Sequence, residues 1–146
     1  MYPDAEVSGF ISENLVPVKI HVKENQQAFE RFGAQWTPTV IVSDSQGTER
    51  YRFEGFLPKE EFLPQVKFGI AKAAFAGSDH QRAASLYQDI VNSYGNSAVA
   101  PEAQYWAGVS RYKATGDAAA LQETAAAFQS RYADSVWATK ASIWQS

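Results

Sequence analysis

A chain of 146 residues with a formal net charge of −3 is long enough for one domain or two small ones, and core size does not limit it. Its hydrophobic fraction of 45% and charged fraction of 20% are those of a soluble globular protein, and the mild acidity gives no reason to expect nucleic acid or an anionic membrane as partner. It contains no cysteine, which excludes disulfides, thiolate nucleophiles and cysteine-held zinc or clusters built by this chain alone.

Two isolated histidines, His21 and His80, do not make a metal site, so neither metal nor other cofactor is expected. Any catalysis would rest on carboxylates, lysines, tyrosines or backbone groups. No stretch approaches the ~20 apolar residues that span a bilayer. Met1 to Glu6 has neither the cationic nor the apolar region of a leader, so a cytoplasmic home is expected.

In chain order, Val7, Phe10, Ile11 and Leu15 have helical spacing, with Pro3 or Asp4 as the start signal. Pro17 to Val22 alternates, with Val18, Ile20 and Val22 on one face, and predicts a strand. Asn25 is placed to cap a short helix over Gln26–Phe32 that Gly33 ends; Phe29 and Phe32 share one side of it. Thr39–Val42 is a continuous β-branched run, the pattern of a strand buried on both faces. Asp44-Ser45-Gln46-Gly47 supplies a turn, and Thr48–Glu54 returns as the second strand of a hairpin. Tyr51 and Phe53 share one face of that strand; Arg50, Arg52 and Glu54 share the other. Pro58 suits a first helical turn, with Glu60 and Glu61 near its positive end, and Pro64 is expected to kink the helix or delay its start. The strand–helix–strand order favours parallel pairing, with one antiparallel strand added by the turn.

This order, with Asn14-Leu15-Val16-Pro17-Val18-Lys19-Ile20, Trp36-Thr37-Pro38-Thr39-Val40, Gly47 and Gly55, resembles the C-terminal two-thirds of a thioredoxin-fold domain over about Tyr2–Phe68. The resemblance implies a proline loop at Thr37-Pro38 with a cis bond, where Thr37 meets an extended peptide, Pro38 shapes the loop and Trp36 is an aromatic contact. Packing of Trp36 on the helix of Phe29 and Phe32 is the alternative. The family's first strand, first helix, second strand and Cys-x-x-Cys have no counterpart here. Either the chain is a shortened product whose cysteines lay before Met1, which we favour, or it is a reduced relative that keeps the scaffold. The missing strand would lie between those predicted at Val18–Val22 and Thr39–Val42. These two must then close on each other or be bridged by a second chain, and a three-stranded mixed sheet, completed in one version by a homodimer through its open edges, is expected.

From Phe68 onward the chain is alanine-rich and repeats with a 38-residue offset. Ser93-Tyr94-Gly95-Asn96-Ser97 aligns with Arg131-Tyr132-Ala133-Asp134-Ser135, while Ala100, Ala103 and Trp106 align with Ala138, Ala141 and Trp144. One period earlier, Phe68 aligns with Trp106 and Ser78-Asp79 with Gly116-Asp117. The units resemble tetratricopeptide repeats: Gly108 and Tyr112 stand near the small and aromatic positions of a first helix, Ala83 and Tyr87 at those of a second. Gly95 and Ala133 replace the usual turn proline, and a generic array of helical hairpins is the alternative. Helices are expected at 64–76, 79–94, 99–115, 117–132 and 136–144, too few for a free-standing array, so the tail should lean on the αβ part and share its long helix.

The fold class is therefore α+β: a partial thioredoxin-like βαββα segment over residues 1–67, then an all-α tetratricopeptide-like tail over 68–146. Candidate peptide-binding residues are Trp36, Thr37, Pro38, Tyr105 and Tyr112. Trp106, Trp137 and Trp144 are further groove candidates, and for all five tail aromatics, Tyr105 and Tyr112 included, repeat core is the commoner role. Lys72, Arg82, Arg111 and Lys113 could meet a carboxylate terminus, or form a solvated surface. Glu60-Glu61 and Asp4/Glu6 lack catalytic spacing, and His21 reads as a packed residue. No phosphate loop, Ser-His-Asp order or metal motif appears. Two functions follow: a non-catalytic module that binds polypeptide partners, or a truncated part of a thiol–disulfide oxidoreductase. No catalytic residue is assigned to this chain, and nucleic acid and membrane are not expected as partners.

Overall fold

The computed structural model describes residues 4–21, 23–34 and 38–145. Helix α1, Ala5–Asn14, begins where the Asp4 carboxylate accepts from the N–H groups of Glu6 (2.9 Å) and Val7 (3.1 Å), the role of an N-cap. It buries Val7 and Ile11, one turn apart. Leu15 closes it in an extended conformation, and Pro17 holds the chain out of the helical region beyond. Helix α2, Gln26–Arg31, is capped by Asn25 and ended by Gly33 at φ +64°. It buries none of its residues.

Strands β1, Thr39–Ser43, and β2, Glu49–Glu54, form an antiparallel hairpin in which Val40 faces Phe53 and Val42 faces Tyr51. The turn is tied by Asp44, whose carboxylate accepts from the N–H groups of Gln46 and Thr48 and from Arg50, while Gly47 takes φ +82°.

Helix α3, Lys59–Ala76, is the central element. Tyr51 and Phe53 lay their rings against Phe68 (5.2 Å) and Phe62 (5.8 Å) of α3. Gly69 lets the hairpin approach: a Cβ there would stand 2.6 Å from Val42 Cγ2 and 3.2 Å from Tyr51 Cβ. On its other side Phe68 meets Tyr87 edge-on at 5.4 Å. One core cluster joins α1, the hairpin and α3 through Val7, Ile11, Val42, Phe62 and Val66; a second joins α3, α4 and α5 through Phe68, Tyr87, Ile90 and Ala103.

The tail continues with α4, His80–Ser93, α5, Ala100–Thr115, α6, Ala119–Ser130, and α7, Val136–Ala141, followed by a 3₁₀ turn at Ser142–Trp144. Each helix packs on the one before it. Gly116 ends α5 at φ +74°, the left-handed geometry that glycine adopts without strain. Gly108 faces Thr124, whose Cβ would lie 2.7 Å from an added Cβ. The loops that the 38-residue offset equates also touch. The Tyr132 hydroxyl donates to the Gly95 carbonyl, and a Cβ on Gly95 would overlap the Arg131 guanidinium.

Three expectations need correction. Residues 17–21 take no regular secondary structure and pair with no strand among the described residues, the His21 carbonyl instead accepting from the Glu24 and Asn25 N–H groups; Val22 lies outside the described residues, and the described sheet has two antiparallel strands rather than three in a mixed sheet. Alternation places side chains on one face, but a strand forms only when a second chain segment takes its N–H and C=O groups. Second, β1 is not buried on both faces: only Val42 is fully buried, because α3 covers one face alone. Third, Pro64 does not delay α3, which starts at Lys59 and runs unbroken past it; the buried Pro64 ring packs in the core.

Candidate functional site

Trp36 and Thr37, and with them the bond before Pro38, lie outside the described residues. Pro38 is exposed, and its carbonyl accepts from the Gly55 N–H at 2.8 Å, one step before β1. A proline suits that pairing position because only its carbonyl is used. The register then turns the N–H and C=O of Ile41 toward the outer edge of β1, where no strand pairs among the described residues.

Beside this hairpin, the chain leaving α1 buries Leu15 partly and then exposes Val16 (92%), Val18 (78%) and Ile20 (45%). Three branched side chains at alternate positions of a stretch that pairs with no strand among the described residues are an unusual use of solvent-facing surface. Pro17 lacks an N–H, so if the stretch pairs as a strand, only the edge at Val16, Val18 and Ile20 carries a complete row of donors and acceptors.

Arg52 was read from sequence only as an outward residue of β2. Its guanidinium in fact donates to the carbonyls of Phe32 and Gly33 and pairs with Glu49. It therefore holds the C-terminus of α2 against the face of the sheet opposite α3, where its positive charge suits the helix end. The hydrogen bond from Arg52, aided by its charge, also keeps the Glu49 carboxyl below the ordinary carboxylate range.

In the tail, Tyr105 stacks on Trp144 at 4.8 Å and meets Trp137 at 5.1 Å and Trp106 at 5.3 Å. It joins a cluster with Phe128 and Ala141, so its ring is part of the packing that closes α5, α6 and α7. Tyr112 is 39% exposed on α5. Tyr105 and Tyr112 thus share α5, two turns apart, while Pro38 stands immediately before β1. Arg111 is committed across α5 and α6, to Glu123 (3.2 Å), Thr124 (3.3 Å) and the Ala120 carbonyl (3.4 Å).

Glu61, assigned to an exposed helix start, reaches the α4–α5 loop instead, accepting from the Ser97 hydroxyl at 3.0 Å and the Ala98 N–H at 3.1 Å. Asp4 and Glu6 both face Lys59 (3.5 and 2.6 Å), tying α1 to α3. Lys67 is clamped between the rings of Phe10 and Tyr94 and paired with Asp89 at 2.6 Å. Sequence gave no signal for these contacts, since each joins residues of different elements. Among the described residues no group of three or more His, Asp or Glu is placed to hold a metal ion, and no helix is long and apolar enough to cross a membrane.

Residues 2–70 match the family model of a thioredoxin-like domain. The matched stretch contains no cysteine and ends inside α3, so the likeness to a thioredoxin-like domain is confined to the αβ part of the chain. No curated protein and no solved structure matches the chain.

Proposed function

We propose that this chain is a non-catalytic protein-interaction module whose thioredoxin-like part takes up an extended polypeptide segment by strand addition. The observation that carries this reading is the stretch at 16–20, which pairs with no strand among the described residues and exposes Val16, Val18 and Ile20. The thioredoxin resemblance puts a strand between this stretch and β1. Here the two do not close on each other, and the outer edge of β1 at Ile41 is open among the described residues. Trp36, Thr37 and Pro38 would border that segment. We read the tail as tetratricopeptide-like, on the 38-residue repeat, the close pass of Gly108 by Thr124 and the stacking of the Gly95 and Tyr132 loops. Thiol exchange needs a thiolate, and no side chain here supplies one. A role in an oxidoreductase would therefore depend on cysteines outside this sequence.

The test is titration with a permanently unfolded polypeptide, reduced and carboxymethylated lactalbumin, followed by amide hydrogen exchange. Saturable binding that slows exchange at Val16, Val18 and Ile20, and that Val18→Pro weakens about tenfold or more, supports the reading. Binding that leaves those amides in fast exchange overturns it, as does no binding. Concentration-dependent protection of the same amides in the free chain would make a second copy the occupant.

A further inference from the structure

We propose that the cleft between the hairpin and the helical tail binds a small organic anion carrying one ring, an aryl carboxylate. The cleft has a volume of about 260 Å³ and is lined by Glu49 and Arg50 of β2, Lys72 and Phe75 of α3, Tyr87 of α4 and Trp106 of α5. It is distinct from the 16–20 stretch and does not depend on the strand-addition reading.

The charges at this cleft are unequal in their commitments. Arg50 is paired with Asp44 at 2.9 Å, and Glu49 with Arg52 at 2.6 Å. The nearby Glu102 carboxylate accepts the Trp106 indole N–H at 3.1 Å and does not line the cleft. Lys72 makes no ion pair among the described residues; its ammonium lies 5.8 Å from the Tyr51 ring centre and 5.9 Å from that of Phe68. Rings on one side displace water from an ammonium without neutralising it, so the remaining side favours an anion. Lys72 is thus the lining charge without an ion-pair partner among the described residues, and it is positive; the Glu102 carboxylate, held by a neutral indole outside the lining, keeps its own charge.

The apolar wall is formed by Phe75 and Trp106, edge to face at 5.4 Å. Phe75 is backed by His80 at 4.9 Å, and the bond to Glu102 fixes the indole, so both rings are held before any ligand arrives. Tyr87 adds a hydroxyl with no hydrogen-bond partner among the described residues. Burial, reinforced by the Glu102 charge, keeps that hydroxyl protonated and able to donate. An ammonium, a free hydroxyl and two preset rings make a concave site with few polar groups converging on it. The volume is below the ~300 Å³ at which drug-sized pockets begin, which restricts the guest to one ring.

The probe is 3-phenylpropionate titrated into the whole chain, followed by calorimetry and by amide and indole chemical shifts. Saturable binding is expected, with shifts at Phe75, Tyr87 and Trp106 and none at Trp137, and with 3-phenylpropionamide about tenfold weaker or more. Lys72→Gln should lose about tenfold in affinity and Lys72→Arg should retain most of it. Equal binding of acid and amide overturns the proposal, as do shifts centred on Trp137, full affinity in Lys72→Gln or no binding. The shift map on the unaltered chain decides the site even where a variant folds poorly. A peptide ending in free phenylalanine, compared with its C-terminal amide, separates the two sources of this chemistry. Tighter binding of the free-ended peptide than of the small acid makes a polypeptide terminus the natural guest; the reverse makes it a free acid.

Discussion

The two halves of the chain dispose of their apolar residues in opposite ways. In the helical tail Ala83, Ala100, Ala103, Ala107 and Ala125 are each no more than 2% exposed, packed against the neighbouring helix in sequence. In the αβ half Val16, Val18 and Phe56 remain 92%, 78% and 74% exposed. A helix satisfies its own backbone and needs only a face covered, which the next helix supplies. A strand needs another strand, and its partner comes from a distant part of the chain or from another molecule. The tail therefore covers its alanine faces by itself, leaving Val136 and Ile143 exposed at its end, and the αβ half keeps an open sheet edge among the described residues. Helix α3 is the element both halves share, since Phe62 packs under the hairpin and Phe68 reaches Tyr87.

The largest effects should come from the cores on either side of α3. Phe62→Ala should cost about 3–5 kcal/mol and Ile90→Ala about 2–5 kcal/mol. If α3 couples the halves, each substitution lowers one common transition in urea, seen identically by near- and far-ultraviolet circular dichroism. Two separated transitions would break the comparison into independent units. Next in size are the close approaches. Gly69→Val and Gly108→Val should each cost about 1–3 kcal/mol by overpacking, against the hairpin and α6 respectively. Thr124→Ala should relieve Gly108→Ala and leave Gly69→Ala unrelieved, a non-additivity of at least about 0.5 kcal/mol in a double-mutant cycle.

Titration should also separate the halves. Burial, then the Glu102 charge, pushes the Tyr51 hydroxyl up to about 12, and Tyr87 is raised further by the same causes. Both groups favour the folded state while protonated. Their contribution is complete below the ordinary value of 10.0 and is lost as pH rises through it toward 12 and beyond. Alkaline unfolding should therefore begin above about pH 10 and move upward in Tyr87→Phe. In the αβ half the N–H of Val7 holds Asp4 below its ordinary 3.8, and the N–H of Thr48 does the same for Asp44. That stabilisation is present above 3.8 and disappears as pH falls below it, so acid should release α1 and the hairpin turn first, read by amide exchange. The smallest effect expected is Val18→Ser, within about 0.5 kcal/mol in unfolding experiments on the isolated chain. A larger loss would mean that the 16–20 stretch already has a partner.

The tail was legible almost to the residue. The expected helices at 79–94, 99–115 and 117–132 correspond to His80–Ser93, Ala100–Thr115 and Ala119–Ser130. Caps and small-residue spacing act within a few residues, so the sequence displays them directly. The Asp4 and Asn25 caps, the Asp44 turn and the apolar face of Tyr51 and Phe53 were readable for the same reason. The strand at 17–22 was not, because its pattern records what a strand would present and says nothing about what would pair with it. Pro64 misled because its lost hydrogen bond is one local term, outweighed by the burial of α3 between two cores. Tyr105 could be a groove or a core residue by sequence; the structure leaves it half-buried against Trp137 and Trp144, contacts between elements that short spacings do not display.

By itself, then, the sequence determined the helices, the hairpin and the lack of any cysteine in this chain, since each is set by residue types and short spacings. The tertiary structure alone decided three other matters: that 16–20 pairs with no strand among the described residues, that Arg52 and Glu61 tie distant elements, and that Lys72 and Phe75 of α3 line one cleft with Trp106 of α5. Each of these depends on which surfaces meet, and α3 brings those surfaces together by packing on both sides at once.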